Sequence, residues 1–297
     1  MHDILVIGTG AAGLAAARQA LRDGLSVATL EALFSGGLVT NINHLDGEVQ
    51  GSGSDLAADM CAEIADLGAE AITGAAQSMV REGDAIAVQS DAGTHLARTV
   101  VVASGAMLRR LGVPGEADYE GRGVSQCANC DGPFFTGQEV VVVGGGDAAL
   151  QEALALTGYA KRVHLVHRST SFRAKRHFTD QVVAHSQITI HWDTRVEAVL
   201  GDEVVKAVRV RRARGGEAEL PCAGFFAYVG LEPACAFVPD SMARDVGGRL
   251  LTDAGLKTAM AGVYAAGAVR SGYGGLLVQA LAEGEAAAKA AAAELRS

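Results

Sequence analysis

The same glycine pattern occurs twice in this chain, and each copy follows a short apolar run. The copies are Gly8-Thr9-Gly10-Ala11-Ala12-Gly13 and Gly144-Gly145-Gly146-Asp147-Ala148-Ala149. Residues 3–7 and 139–143 are typical of buried parallel strands, and a helical pattern follows each copy. Glycines in this setting allow a tight turn and let the backbone approach a pyrophosphate at the helix N-terminus. The sequence therefore predicts an α/β chain with two Rossmann-like, three-layer domains that bind dinucleotides.

The residues after the first copy indicate where a ribose binds. A second strand pattern, Ser26 to Leu30, ends at Glu31, about where the motif places a carboxylate for a ribose hydroxyl pair. A glycine-rich loop with Gly36, Gly37 and Asn41 follows, and we expect it to pass close under the bound cofactor. An ordinary surface loop is the alternative for this stretch.

No acid stands at the end of the strand that follows the second copy. That strand pattern, Arg162 to Val166, runs into His167-Arg168, and Arg173 comes shortly after. Cations at this place suit the 2′-phosphate of NADP better than the free ribose of NAD. We expect Arg168 and Arg173 to bind NADP, and a solvated basic turn is the alternative.

A cysteine pair, Cys127-Ala128-Asn129-Cys130-Asp131-Gly132, lies between the two copies. Such a pair either closes a small disulfide ring or holds a metal. A closed zinc site needs a second C-x-x-C or a His pair at ligand spacing, and the other three cysteines are isolated. Redox chemistry is therefore favoured over a zinc site or an inert pair, and no metal is expected. Asp131 can supply the proton that a leaving thiolate needs.

Composition excludes some classes of partner. The chain has 297 residues and a net charge of −9, which argues against sequence-independent binding to nucleic acid and against an anionic membrane surface. No apolar run reaches the ~18 residues of a membrane span, and the first strand begins too early for a signal peptide. We expect a cytoplasmic protein, since a C-x-x-C is more often catalytic there than structural.

Two nucleotide fingerprints with a C-x-x-C between them resemble the low-molecular-weight thioredoxin reductases. The likeness covers nearly the whole chain and is most specific at Cys127–Gly132, at Gly144–Ala149, and at His167-Arg168 with Phe172-Arg173-Ala174. It implies an FAD domain made of residues 1–112 and 231–297. An NAD(P) domain, residues 113–230, is then inserted and carries the cysteines. In that family the inserted domain swings, so that either the disulfide or the nicotinamide faces the flavin.

The resemblance also implies roles for single residues. Cys130 is the cysteine that meets the flavin, Cys127 exchanges with the partner disulfide, and Asp131 is the acid. Gly105 and Gly267 lie in segments that look like the two A-x-G strand ends of the family, at the FAD site. The implied reaction passes electrons from NADPH through FAD and the cysteine pair to thioredoxin, or to a similar protein or small disulfide. A homodimer is implied as well.

Several positions depart from the family pattern. Leu38 stands where a Gln follows two glycines, Ala268 stands in place of an Asp after the last strand, and Leu276 is the candidate for a second missing Gln. Ser169 replaces the second Arg of a His-Arg-Arg run. We expect FAD to bind through Gly8–Gly13 and Glu31, with an altered redox potential or a weaker hold, at a cost of ~1 kcal/mol for each lost hydrogen bond.

Two other functions stay open at this point. A flavin-dependent dithiol oxidase would pass electrons from a substrate dithiol to oxygen, but the intact Gly144–Ala149 loop argues against it. A non-catalytic redox sensor with a degraded flavin site is suggested by the apolar residues Leu38, Ala268 and Leu276.

Overall fold

The computed structural model describes residues 1–42, 45, 51–213 and 215–296. In chain order, the first part contains β1 (His2–Ile7), α1 (Ala11–Arg22), β2 (Val27–Glu31), a 3-10 turn (Gly37–Asn41), α2 (Gly53–Asp66), β3 (Glu70–Thr73), β4 (Ala76–Glu82), β5 (Ala85–Ser90), β6 (Gly93–Val102) and β7 (Ala106–Leu108).

The central part continues with β8 (Val124–Ser125), α3 (Ala128–Asp131), a 3-10 turn (Gly132–Phe135), β9 (Glu139–Gly144), α4 (Asp147–Leu156), β10 (Arg162–Val166), α5 (Arg176–Ala184), β11 (Ile188–His191), β12 (Thr194–Gly201), β13 (Val205–Arg212), β14 (Glu217–Pro221) and β15 (Gly224–Tyr228). The last part contains β16 (Leu231–Pro233), β17 (Val263–Ala265), a 3-10 turn (Gly267–Val269) and α6 (Leu277–Arg296).

The chain divides into two compact units. The first unit contains residues 1–107 and 232–297, and the second contains residues 108–231. The sequence placed these crossings at 112/113 and 230/231. Two short strands, β7 and β16, pair with each other.

The first unit is built on a mainly parallel sheet with the strand order β3-β2-β1-β6-β5-β4. β6 is long enough to pair with antiparallel β5 along its first half and with parallel β17 along its second half. On one face α1, α2 and α6 pack over β1, and on the other the chain around Phe237 and Leu250 covers β5 and β6. Small residues let α6 approach α1 closely, since a Cβ on Gly284 would lie 2.0 Å from the carbonyl oxygen of Ala12.

The second unit has a parallel sheet with the strand order β11-β10-β9-β15-β8. Helices α3, α4 and α5 cover one face, and the antiparallel strands β12, β13 and β14 cover the other. In both units the strand order reverses beside the first strand, at β1 and at β9, so the loop after that strand opens at the switch point of the sheet. The prediction of two Rossmann-like layered units is confirmed.

The strands predicted on either side of both glycine loops are present as β1, β2, β9 and β10. Residues 93–102 form one continuous strand, β6, whose two halves pair with different neighbours. Helix α5 lies in a segment for which the sequence predicted no element. In the part of the chain that the structure describes, no helix has the length and apolar character to cross a membrane.

Candidate functional site

At the first glycine loop, the end of β1 and the start of α1 lie in close contact. Gly8 has a φ of +94°, and a Cβ there would lie 2.5 Å from the carbonyl oxygen of Ala103. A Cβ on Gly13 would lie 1.8 Å from the carbonyl oxygen of Gly8. Both positions therefore require glycine, which fixes the N-terminus of α1 directly against the end of β1.

Glu31, at the end of β2, is held against this loop through Thr9. Its Oε2 accepts hydrogen bonds from the backbone N–H of Thr9 at 2.8 Å and from the Thr9 hydroxyl at 2.9 Å. Its Oε1 accepts a bond from the N–H of Leu33 at 3.2 Å. The structure therefore places the predicted ribose carboxylate beside the glycine loop.

The other residues predicted for the first nucleotide site lie around the same loop. Gly36 donates its N–H to the carbonyl oxygen of Thr9 at 2.8 Å, and a Cβ on Gly37 would lie 3.5 Å from the Cα of Gly10. Asn41 ends the 3-10 turn that starts at Gly37. Two more predicted residues, Gly105 and Gly267, lie at the ends of neighbouring strands. Gly105 follows Ser104, and the Cα of Ser104 would lie 2.7 Å from a Cβ on Gly8. A Cβ on Gly267 would lie 3.0 Å from the Cβ of Ala12.

This surface has the chemistry that FAD requires. Gly10 caps α1 without any side-chain bond, so the first N–H groups of the helix are left for an anion. The space over Gly10 is open, because the nearest atom to a Cβ there is the Gly36 carbonyl oxygen at 3.9 Å. Among the described residues, the Ser104 hydroxyl is buried next to the loop with no hydrogen-bond partner. Together with Glu31, these features fit an FAD pyrophosphate and ribose.

Three of the residues that depart from the family pattern lie in the first unit, and they differ in how exposed they are to solvent. Leu38 and Leu276 are exposed, and Ala268 is half-buried. Gln279, in the first turn of α6, accepts the N–H of Gly274 at 2.7 Å and donates to Glu283 at 2.7 Å. Gln279 therefore holds the glycine-rich segment before α6.

Sequence reasoning missed a buried carboxylate beneath the end of β17. Oε2 of Glu283 accepts the N–H of Gly267 and Nε of Arg270, both at 2.8 Å, and its Oε1 accepts Nη2 of Arg270 at 2.6 Å. Burial acts to raise the pKa of Glu283, but Arg270 and the Gly267 N–H outweigh it and hold the pKa below its usual value. This ion pair fixes the turn that contains Gly267 and Ala268.

The second glycine loop is hydrogen-bonded to the segment that follows β10. The imidazole ring of His167 packs directly on Gly145. A Cβ on Gly145 would lie 2.1 Å from Cε1 of this ring, so only glycine fits at this position. Arg173 donates its N–H to the carbonyl oxygen of Gly145 at 2.8 Å. Asp147 accepts the N–H of Lys175 at 2.7 Å, and its carboxylate also lies 3.7 Å from the Lys175 ammonium. The predicted basic segment is therefore brought directly beside the glycine loop.

The side chains around this loop fit a phosphorylated dinucleotide. Gly146 caps α4 without a side-chain bond, and a Cβ there would meet nothing within 4 Å. Gly144 ends β9, and Ala148 is exposed in the first turn of α4. Arg168 and Arg173 are both exposed, and within the described part of the chain neither forms an ion pair with an acid. Their charge is thus available to a phosphate group.

The cysteine pair forms a disulfide at the start of α3. Cys127 caps this short helix, and its sulfur accepts the N–H of Cys130 at 3.1 Å. Cys127 is half-buried and Cys130 is exposed, so the bond can be reached from solvent. Asp131 follows at once, and its Oδ2 accepts the hydroxyl of Ser125 at 2.6 Å. All three predicted redox residues therefore lie together.

Two further residues support the disulfide, and sequence reasoning missed them. Glu152, on α4, accepts the N–H of Ala128 at 2.8 Å and the hydroxyl of Tyr228 at 3.0 Å, both on Oε2. Burial raises the pKa of the Glu152 carboxyl, and the two donors act against this. Burial and the Glu152 charge raise the pKa of the Tyr228 hydroxyl. These hydrogen bonds join parts of the chain that lie far apart in sequence, so no local sequence pattern predicts them.

Comparison with known proteins identifies the family. The model of the pyridine nucleotide-disulphide oxidoreductase family matches residues 2–284. The chain belongs to this family. It is 34% identical over 296 residues to a thioredoxin reductase of Treponema pallidum, covering 98% of this chain and 96% of that protein. The resemblance to the low-molecular-weight thioredoxin reductases is thereby confirmed.

Solved structures in the same family share the whole fold. The thioredoxin reductase of Lactococcus lactis (FR conformation) has a TM-score of 0.91 and 32% identity, covering 99% of this chain and 100% of that one. The thioredoxin reductase of T. acidophilum has a TM-score of 0.90 and 30% identity, covering 100% of this chain and 99% of that one. Members of the family bind FAD and NAD(P)H. The chain is a thioredoxin reductase-like flavin disulfide oxidoreductase with its C-x-x-C pair in place.

Proposed function

We propose that this chain is an NADPH-dependent reductase of thioredoxin or a thioredoxin-like protein. The observation that carries the proposal is the accessible Cys127–Cys130 disulfide, which lies in the same compact unit as a glycine loop flanked by two exposed arginines. One unit thus brings together groups for the electron donor and for the electron acceptor. The curated relatives it matches are named thioredoxin reductases, which supports the choice of substrate.

The second unit is assigned to NADPH. The N–H groups at the start of α4, with Gly144, Gly146, Asp147 and Ala148 around them, would hold the pyrophosphate. Asp147 would contribute through its backbone, because its carboxylate is engaged by Lys175. Arg168 and Arg173 would bind the 2′-phosphate, which NADH lacks.

The first unit is assigned to FAD. When bound, the flavin accepts two electrons as a hydride and passes them to sulfur, which links a hydride donor to a dithiol. Gly8, Gly10 and Gly13 would let the backbone meet the pyrophosphate, and Glu31 would accept the ribose hydroxyls. Ser104 offers a buried hydroxyl that has no partner among the described residues. The loop residues Gly36, Gly37 and Asn41, with Gly105 and Gly267 at two strand ends, would line the rest.

The reduced cysteine pair then reduces the partner by thiol–disulfide exchange. The Cys127 thiolate attacks one sulfur of the partner disulfide, and the other partner sulfur leaves as a thiolate and takes a proton from Asp131. The Cys130 thiolate attacks the sulfur of Cys127, the second partner sulfur leaves, and the Cys127–Cys130 disulfide forms again. Two electrons pass from the pair to the partner, whose second sulfur takes up the proton that the Cys130 thiol loses when it becomes the attacking thiolate.

The surface beside the disulfide favours a protein partner over a small disulfide. Phe134, in the turn just after α3, is 76% exposed, whereas Phe135 is buried against Phe226. An exposed aromatic ring next to a reactive disulfide is typical of a surface that another protein covers. A cytoplasmic location and a homodimer complete the proposal, and sedimentation of the holoprotein tests the dimer.

The deciding experiment is an anaerobic titration of the FAD-loaded protein with NADPH and, separately, with NADH. We expect NADPH to bleach the flavin band at lower concentration than NADH, and oxidised thioredoxin to restore it. No bleaching by either nucleotide, together with bleaching by a dithiol and recovery in oxygen, would identify a dithiol oxidase instead. Bleaching by NADPH followed by recovery only with a small disulfide would replace the protein partner. A protein that takes up no FAD would be a redox sensor.

A further inference from the structure

A buried acid from another helix touches the segment that carries the disulfide. Glu152 lies in the middle of α4, and its Oε2 accepts the N–H of Ala128, the fully buried residue directly after Cys127. The same oxygen accepts the hydroxyl of Tyr228, the last residue of β15. One carboxylate oxygen therefore joins α3, α4 and β15.

Glu152 brings an ionisable carboxyl group to the segment that carries the disulfide, in addition to supporting it through hydrogen bonds. Burial disfavours the ionised form of Glu152, and the two donors on one oxygen oppose burial by favouring that form. The Glu152 carboxylate is thus hydrogen-bonded to the peptide unit that joins Cys127 to Ala128. A negative charge near a thiol disfavours its thiolate. Asp131 is another acid next to the pair, and its Oδ2 accepts a hydrogen bond from the Ser125 hydroxyl.

We propose that Glu152 is a positioning residue for the redox disulfide, and that its charge makes the reduced Cys127–Cys130 pair less ionised and more strongly reducing. A thiolate destabilised by a neighbouring charge weakens the dithiol form relative to the disulfide. The pair then gives up its two electrons more readily to a partner. The proposal rests on the assignment of Cys127 and Cys130 as the redox pair.

The test follows the thiols themselves and needs neither nucleotide nor flavin turnover. The holoprotein is reduced with a phosphine and treated with iodoacetamide from pH 5 to 10, and alkylation of Cys127 and Cys130 is followed by mass spectrometry of their peptide. The variants are Glu152→Gln and Glu152→Met, which are neutral, and Glu152→Asp, which keeps the charge. Glu203→Gln, at an exposed turn between β12 and β13, is the matched control for loss of one charge.

We expect both neutral variants to alkylate about 3- to 10-fold faster at pH 7, as for a thiol pKa lowered by about half a unit to one unit. The equilibrium with dithiothreitol should shift towards the reduced pair by a similar factor at a pH above both thiol pKa values, and by less than twofold at pH 7. Glu152→Asp and Glu203→Gln should match the wild type. An unchanged pH midpoint in both neutral variants would reduce Glu152 to a structural support and overturn the proposal. Because the assay uses chemical reduction, that result would leave the proposed NADPH-dependent activity untouched.

Discussion

The hydroxyl of Ser125 donates a hydrogen bond to Oδ2 of Asp131 at 2.6 Å and accepts the N–H of Cys127 at 3.2 Å. One serine thus ties the acid to the first cysteine across the turn between β8 and α3. The carboxyl group is held beside the cysteine pair, and in the proposed reaction its protonated form gives a proton to a departing thiolate.

Replacing this acid should slow disulfide turnover without affecting the nucleotide step. We expect Asp131→Asn to lower thioredoxin reduction about 100-fold, since an amide cannot donate a proton in this way. The rate at which NADPH bleaches the flavin should stay within a factor of two. Stopped-flow absorbance separates the two steps. Ser125→Ala keeps the acid and should cost less; a larger loss there would mean that the serine, not the acid, carries the effect.

Removing one sulfur should separate the two halves of the reaction. In Cys130→Ser we expect NADPH still to bleach the flavin, while multiple-turnover reduction of a disulfide is abolished, because no thiol remains to resolve the mixed disulfide. Cys61→Ser, outside the pair, is the control. Continued turnover of a disulfide by Cys130→Ser would refute the role given to the pair.

Local sequence patterns were enough to predict both glycine loops. Gly8, Gly13 and Gly144 meet neighbours so closely that only glycine fits, and this constraint leaves a fixed spacing in the sequence. Glu31 and Arg168 were predicted for a similar reason, because each stands at or just after the end of the strand next to its loop.

Contacts between distant parts of the chain could not be predicted in the same way. Glu152 meets Tyr228 across 76 positions and Ala128 across 24. Glu283 looks like one more acid in an alanine-rich helix until the fold places Arg270 and the Gly267 N–H beside it. A single sequence records such residues only as isolated polar positions, since the partner is chosen by tertiary packing.

Arg168 should decide between the two nucleotides. We expect Arg168→Ala to raise the KM for NADPH about 10- to 100-fold and to leave the KM for NADH nearly unchanged, because only NADPH has a 2′-phosphate for a charge-assisted hydrogen bond. Steady-state kinetics with both nucleotides measures this. Arg195→Ala, an exposed arginine on β12, is the matched control. An equal change for NADPH and NADH would contradict the phosphate assignment.

The ion pair between Glu283 and Arg270 should stabilise the first unit. Both side chains are largely buried, with 9% and 16% exposure, so Glu283→Ala leaves an unpaired buried cation and should lower the free energy of unfolding by about 3 kcal/mol. Glu285→Ala, on the same helix, breaks a more exposed pair with Arg18 and should cost at most about 1 kcal/mol. Urea denaturation compares the two, and similar losses would contradict the special role of Glu283.

The second unit should lose stability in mild acid because of His191. Its Nε2 meets Nδ1 of His164 at 3.0 Å, and His164 in turn meets Glu139 at 2.9 Å. Burial, His164 and Arg212 lower the pKa of His191 to about 4.

The direction of the effect follows from proton binding. Below the unfolded pKa of about 6.5 the unfolded chain takes up a proton that the folded chain refuses, so the free energy of unfolding falls as the pH drops from about 6.5 towards 4. The loss should be about 1 to 2 kcal/mol, because the ring is only partly buried. The fluorescence of Trp192, the only tryptophan of the chain, follows the unfolding of this unit. His191→Gln should make the free energy of unfolding depend less on pH. The control His177→Gln, at an exposed site on α5, should show the same pH dependence as the wild type. Identical pH slopes for His191→Gln and the wild type would show that another group is responsible.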